Sequence, residues 1–385
     1  MPTTLAAPKE TTLGEKRIAL TPEIAKKLQG LGLTLTIESG MGSSIGFEDS
    51  AYKDVAAFNQ AAALVANANI IIKVAPPSLE EISLYPRNSI LIGMLAPYAS
   101  DERILALKEK GITSFSLELI PRISRAQSMD VLSSQAAAAG YQATLIAAEL
   151  CQKFFPMLTT AAGTIRPAKV LIIGAGVAGL QAISTARRLG AIVEAYDVRS
   201  ATKEQVESLG AKFIDTGVSA DGVGGYARAL TEEEKQKQQA VLDEHIAKSD
   251  VVITTAAIPG RPSPKIISRA AVEGMKGGSV IVDLAAEGGG NCELTKPGEH
   301  VIHQGVTVFG PLNLPSQLAA HASEMYAKNL FNFISLFAKD GEVTLDWEDP
   351  IIAQSALTHA GKIVHEATAQ RLEPASISQP QEATS

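Results

Sequence analysis

Six residues, Gly174-Ala175-Gly176-Val177-Ala178-Gly179, constrain this chain more than any other stretch. They follow the apolar run Val170–Ile173 and open a segment with helical spacing that closes at Gly190. In that setting each glycine has a task. Gly174 makes the tight turn out of a strand, Gly176 lets backbone approach a pyrophosphate, and Gly179 lets helix and strand pack closely. The first turn of the helix offers unpaired N–H groups and positive potential to phosphate oxygens. A second strand-like run, Ala191–Tyr196, leads into Asp197, where an acid accepts hydrogen bonds from ribose hydroxyls and repels a 2′-phosphate. A lone G-x-G-x-x-G is weak, but strand, glycines, helix and acid in this order describe a dinucleotide-binding unit. The pattern predicts NAD(H) rather than NADP(H). Arg199 stands nearby as a residue type that accommodates a 2′-phosphate.

The rest of the chain alternates in the same manner. A length of 385 residues suits two domains, each with its own core. Thr21-Pro22-Glu23 reads as a helix start, with a hydroxyl at the N-cap, proline in the first turn and an acid at the positive end. Strands are expected at Leu33–Glu38, Asn69–Val74, Ser89–Leu95 and Ile112–Ile120, and helices at Asp49–Ala66 and Asp101–Lys110. Gln135–Phe155 reads as one long helix ended by Pro156, and Thr159–Pro167 as a connecting loop. A second series follows, with strands at Lys169–Ile173, Ala191–Tyr196, Lys212–Ile214, Val251–Thr255, Ser279–Asp283 and Val306–Phe309. Asp215–Glu234 is a long glycine-bearing gap of the kind that tends to be functional or mobile. From Ser316 a helical pattern returns, including Met325–Phe337, and is expected to pack back on the first domain; Pro374–Ser385 reads as a frayed end. The expected fold is α/β, with two Rossmann-like doubly wound parallel-sheet domains joined by long helices and a cofactor cleft between them. Residues 1–134 with 320–385 form one domain in this reading, and 135–319 the nucleotide-binding one.

A formal charge of −7 and the lack of a basic run argue against a nucleic-acid partner. No apolar stretch is long enough to span a bilayer, and the N-terminus lacks a charged-then-apolar leader. Cys151 and Cys292 match no metal spacing, so no metal is expected and a reduced, cytosolic protein is the plain reading.

The stretch Pro121–Ser134, PRISRAQSMDVLSS, concentrates arginines, an amide, a carboxylate and hydroxyls before the nucleotide-binding half. Arg122 and Asp130 lie close enough in sequence to pair across a loop, a fork able to hold a carboxamide or ribose oxygen. Gln127 offers a donor and an acceptor, as a nicotinamide amide needs. All six histidines lie late, at 245, 300, 303, 321, 359 and 365, and none is among residues 1–134. Oxidising an alcohol or amine releases a proton and calls for a base. Hydride transfer between two nicotinamides needs only alignment and exclusion of water. A first domain with arginine, glutamine, aspartate and serine but no histidine suits the second chemistry. Lys73 is a candidate base whose blander reading is a snorkelling strand-end lysine.

PKE at Pro8–Glu10, ALTPE at Ala19–Glu23, PRISRAQSMDVLSSQ at Pro121–Gln135, TAAGT at Thr160–Thr164, GAGVAGLQAI at Gly174–Ile183, DVRSATKEQVESLG at Asp197–Gly210, GGYA at Gly224–Ala227 and DLAAEGGGNCELT at Asp283–Thr295 resemble one family along nearly the whole chain. It is the NAD(H)-binding domain I, the soluble part of the alpha subunit, of proton-translocating nicotinamide nucleotide transhydrogenase. Alanine dehydrogenase shares its fold and is the runner-up. The resemblance implies a homodimer that binds NAD(H) in a cleft between two domains. It also implies direct hydride transfer to NADP(H) on a partner component, with membrane proton-channel subunits coupling that step to proton translocation. A cytoplasmic location, peripheral to the inner membrane through those partners, follows from it. Arg122, Gln127, Asp130 and Ser133 match its catalytic positions. Gln127, Ser128, Met129, Asp130, Gly174, Gly176, Val177, Gly179, Asp197, Val198, Arg199, Gly225, Tyr226 and Ala257 match its nucleotide contacts. Gly225-Tyr226 belongs to a closing flap, and Ala257 is smaller than the leucine of that pattern. Alanine dehydrogenases carry a histidine where this chain has Met94 and an aspartate where it has Glu287, whereas Arg17 and Lys73 keep their substrate-binding types.

Overall fold

The computed structural model describes residues 2–218, 231–257 and 260–373. The chain divides into two compact units, Met1–Leu132 with Ala319–Ser385, and Ser133–Leu318. Each is built on a mainly parallel sheet, so the α/β class expected from the alternation is observed.

The first unit holds an eight-stranded sheet. In spatial order its strands are Lys362–Ile363, Ala356–His359, Thr113–Ser116, Ile90–Gly93, Ile70–Ile72, Thr4–Ala7, Thr34–Glu38 and Ala56–Asn59. The first two in that order are antiparallel additions at one edge, and the other pairings are parallel. The strand Ile70–Ile72 is buried throughout, as expected where both faces of a parallel sheet are covered. The helix Pro22–Gly30 starts where the Thr-Pro-Glu signal places it, with Pro22 in its first turn, although the buried Thr21 hydroxyl makes no capping bond. The helix Ala319–Ile334 buries Ala322, Ser323, Tyr326, Ala327, Leu330, Phe333 and Ile334, one face of a 3.6-residue repeat. These residues share a core with Leu5, Ile72, Phe115 and Met129.

The second unit holds a seven-stranded sheet in the order Lys212–Phe213, Ile192–Tyr196, Lys169–Ile173, Val251–Thr254, Val280–Asp283, Val306–Phe309 and His300–His303. Only the last pairs antiparallel. The helix Val131–Leu150 supplies Ala143 and Ala147 to the core. Its Gly140 admits the second helix of that layer, because a Cβ there would lie 2.0 Å from the Ala178 carbonyl oxygen. Among the described residues no helix is long and apolar enough to cross a membrane, and no cluster of side chains suits a metal ion.

Several expectations need correction. Asp49–Ala66 is not one helix: it forms a 3-10 turn at Asp49–Ala51, the strand Ala56–Asn59 and the short helix Ala61–Ala66. Alanine favours helix locally, but parallel pairing with Thr34–Glu38 draws Ala56–Asn59 into the sheet. The strand expected over Ile112–Ile120 stops at Ser116. There Glu118 accepts from Ser116 Oγ at 2.6 Å and from the Leu95 and Ala96 N–H groups, bending the chain into a 3-10 turn. The long helix runs from Val131 to Leu150 rather than Gln135 to Phe155. Part of the Thr159–Pro167 loop is a hairpin of Leu158–Thr160 with Gly163–Ile165. The edge strand His300–His303 has no counterpart in the sequence reading; its residues are exposed or half-buried and lack an apolar run. In the long gap, 219–230 lie outside the described residues, and the helix Glu232–Lys248 begins with a Thr231/Glu234 capping box. The expected frayed end, 374–385, also lies outside them. Finally, the return of the chain places His321, His359 and His365 in the first unit. That unit is not free of histidine, so its residue types do not by themselves separate the two chemistries.

Candidate functional site

The strand Lys169–Ile173 lies between Ile192–Tyr196 and Val251–Thr254, so successive connections leave it in opposite directions. At such a reversal a crevice opens beyond the carboxyl ends of the strands. Gly174 turns there with φ of 97°. The Thr255 hydroxyl donates to the Gly174 carbonyl at 3.0 Å, and a Cβ on Gly174 would stand 2.5 Å from the Thr255 hydroxyl oxygen. At Gly179 a Cβ would meet the Gly174 carbonyl oxygen at 1.8 Å. Only at Gly176 does an added Cβ meet open space within this turn. That is the position where backbone must approach a ligand. Gly176 is the N-cap of the helix Val177–Arg188, and Val177 is exposed.

Asp197 is buried, and its Oδ2 accepts the Ala175 N–H at 2.7 Å. The acid and the glycine turn therefore form one unit. Arg199 closes on the same carboxylate, with Nε–Oδ1 at 2.8 Å and Nη2–Oδ2 at 2.7 Å. Val198 is half-buried beside them. Ala257 is exposed just beyond Ala256, whose N–H and C=O both bond the Asn291 amide, at 3.1 and 2.7 Å. The same Asn291 Nδ2 donates to the Pro264 carbonyl at 2.9 Å, tying the two ends of this connection together. The next strand ends in Asp283, fully buried, which accepts from Thr254, Thr295 and the Ala285 and Cys292 N–H groups. Gly225 and Tyr226 lie outside the described residues.

The stretch from Pro121 belongs to the first unit as far as Leu132, while Ser133 belongs to the second. Ser124–Met129 forms a 3-10 helix. Ala126 and Met129 are buried in the core, leaving Arg122, Gln127 and Ser128 exposed and Asp130 half-buried. The main chain is held from behind: Asn329 and Asn332 Nδ2 both donate to the Ser128 carbonyl, at 2.8 and 2.9 Å. Arg125 forks onto Asp349, which caps the helix Pro350–Ser355 through the Ile351 N–H at 2.9 Å. Arg125 thus anchors the loop. The result is a rigid backbone presenting polar side chains. Sequence reasoning missed Asn291, Asn329 and Asn332. The signal available was weak: an asparagine after three glycines, and two asparagines three apart on an otherwise apolar helix.

Lys73 does not snorkel. It is fully buried, with Nζ 2.5 Å from Glu81 Oε1 and 3.4 Å from Glu10 Oε2. A buried ammonium needs such partners, and the carboxylates from Pro8-Lys9-Glu10 and from the helix Leu79–Leu84 supply them. Arg17 is likewise buried against Glu15, with Nε–Oε1 at 2.8 Å and Nη2–Oε2 at 2.7 Å. Glu287 accepts the Asn313 N–H at 3.0 Å, and Met94 packs partly buried on the core.

With this geometry in place, the likeness to known proteins is specific. Residues 6–139 match the N-terminal domain of the alanine dehydrogenase/PNT family, and residues 143–366 match its C-terminal domain. The chain is 45% identical over 376 residues to the first of the separate chains that make up the NAD(P) transhydrogenase alpha subunit of Rhodospirillum rubrum, spanning 94% of this chain and 98% of that one. Against alanine dehydrogenase of Halomonas elongata the identity is 28% over 375 residues, spanning 95% and 96%. The solved structure of transhydrogenase from Sinorhizobium meliloti matches with a TM-score of 0.84 at 44% identity, over 94% of this chain and 99% of that one. The resemblance read from the motifs is therefore upheld, and the chain belongs to the alanine dehydrogenase/PNT family.

Proposed function

We propose that this chain is the NAD(H)-binding subunit of a proton-translocating transhydrogenase, within which a hydride passes directly between NAD(H) held here and NADP(H) held on a partner component. The observation that carries the reading is the loop Arg122–Asp130, whose backbone is pinned by Asn329 and Asn332 while Arg122 and Gln127 stay exposed. A pinned loop with exposed amide and guanidinium groups suits alignment of a nicotinamide. The turn of Gly174, Gly176 and Gly179 and the helix opening at Val177 would hold the pyrophosphate. Asp197, Val198 and Arg199 would hold the adenosine side, with Ala257 and the Gly225-Tyr226 stretch closing over the nucleotide. The bound nucleotide supplies or receives the hydride. Gln127 orients its carboxamide, and Arg122, Asp130, Ser128, Met129 and Ser133 keep the loop in register and water out. A second chain as homodimer partner, membrane proton-channel subunits and peripheral attachment to the membrane complete the reading.

Arg17 and Lys73 favour an alanine dehydrogenase reading by residue type, but here both are engaged by Glu15, Glu10 and Glu81. The decisive experiment is a reconstitution. The chain alone should bind NADH without turnover and transfer hydride to an NADP analogue only when the NADP(H)-binding component is added. Robust NADH oxidation by the lone chain with pyruvate and ammonia would replace this reading with the other. In the reconstituted complex Gln127→Asn should slow hydride transfer roughly a hundredfold while NADH affinity changes less than about threefold.

A further inference from the structure

The carboxylate of Asp197 is saturated. Oδ2 accepts the Ala175 N–H and the Arg199 Nη2–H, both at 2.7 Å. Oδ1 accepts the Arg199 backbone N–H at 2.9 Å and its Nε–H at 2.8 Å. A carboxylate offers about four acceptor positions, so none is left for a ribose hydroxyl while the Arg199 side chain stays in place. Two of the four bonds come from the backbone and fix the glycine turn. The other two come from the guanidinium and can be exchanged without disturbing that turn. The Asp197 side chain is 5% exposed and that of Arg199 26%, so the arginine is the partner with room to leave.

We infer that Asp197 and Arg199 work as a specificity pair, in which an adenosine ribose diol displaces the guanidinium from the carboxylate, and Arg199 is a 2′-phosphate receptor held in check by Asp197. The planar fork that now grips a carboxylate has the geometry to grip a phosphate. Rejection of NADP(H) then comes from the carboxylate twice over, by repelling the phosphate and by occupying the arginine. The inference rests on the reading of this unit as an NAD(H) site.

The test is equilibrium titration of the full chain with NADH and, separately, NADPH, followed by nucleotide fluorescence. The wild type is compared with Asp197→Asn, Arg199→Ala and the double variant. Asparagine keeps an oxygen for the Ala175 N–H, so the turn retains its shape. Loss of one charge-assisted contact corresponds to roughly tenfold in affinity. Asp197→Asn should therefore weaken NADH about tenfold and tighten NADPH at least tenfold, and the double variant should lose the NADPH gain. Arg199→Ala should bind NADH as tightly as the wild type or a few-fold tighter, since a competitor for the carboxylate is gone. Should Asp197→Asn fail to fold, the Arg199→Ala titration decides: a tenfold loss of NADH affinity overturns the inference. NADH binding by Asp197→Asn with no gain for NADPH, or an equal gain in the double variant, overturns it too. A wild type that binds neither nucleotide sinks the NAD(H) reading and the pair with it.

Discussion

After its first strand, the sheet of the second unit continues into Gly174-Ala175-Gly176; after its own first strand, the sheet of the first unit continues into Pro8-Lys9-Glu10. In both sheets the third, second, first, fourth and fifth strands stand side by side in that order. Both therefore carry a reversal point where a crevice opens. In the first unit that place is filled from within. Glu10 accepts the Val74 N–H at 2.5 Å and the Ala75 N–H at 3.2 Å, Lys73 bridges Glu10 and Glu81, and the Tyr326 hydroxyl donates to the Lys73 carbonyl at 2.6 Å. Burial pushes the Tyr326 phenol well above its ordinary range and keeps it a donor. In the second unit the corresponding space above Gly176 is open. Strand order supplies a crevice with N–H groups to satisfy; residue type decides whether the anion is a built-in glutamate or a visiting phosphate. Topology alone does not assign the function of either crevice.

Two substitutions test that contrast most strongly. Lys73→Met should lower stability by about 3–5 kcal/mol, because Glu10 and Glu81 are left with no cation in a buried place. Urea unfolding checks it. NADH affinity of the folded fraction should change less than about threefold, and a loss of binding without loss of stability would show that the first crevice is not merely structural. Gly179→Ala should act on the other crevice. Its Cβ would lie 1.8 Å from the Gly174 carbonyl oxygen, so the turn must move. We expect NADH affinity to fall about a hundredfold, equivalent to roughly 2.7 kcal/mol, in a calorimetric titration. Unchanged affinity would mean that the glycine turn does not hold the nucleotide.

Much of this is legible in the sequence because it is local. The glycine turn, Asp197 and the strand–helix alternation are read within short windows, and they place the second crevice correctly in the fold. What escapes is set at long range. Asn329 and Asn332 reach Ser128 across 201 and 204 residues, and no local period announces such a contact. Lys73 at the end of a strand looks free to snorkel because the carboxylate of Glu10 arrives from a neighbouring strand. The Asp49–Ala66 segment misleads since alanine-rich windows fit helix by propensity, and only pairing with Thr34–Glu38 overrides that preference. The histidines mislead for the same reason: the late residues His359 and His365 return to the first unit through strand pairing of Ala356–His359 with Thr113–Ser116.

The smallest effect expected is also the sharpest probe of how the first crevice holds its own anion. Burial raises the Glu10 carboxyl above its ordinary 4.5, and Lys73 with the Val74 and Ala75 N–H groups pulls it back only in part. A carboxyl raised in the folded state binds its proton more tightly there than in the unfolded chain. Its contribution to stability is thus complete below the ordinary value and is lost as pH rises through the raised one. Glu10→Gln keeps an oxygen for one N–H and removes the ionisation, at a cost of about 1–2 kcal/mol in acid. The stability of the wild type minus that of Glu10→Gln, measured by urea unfolding from pH 4 to pH 8, should therefore decline with rising pH. A difference that grows with pH would mean that Lys73 outweighs burial, making the first crevice an ion pair kept for stability rather than a charge tolerated because the N–H groups there need an acceptor.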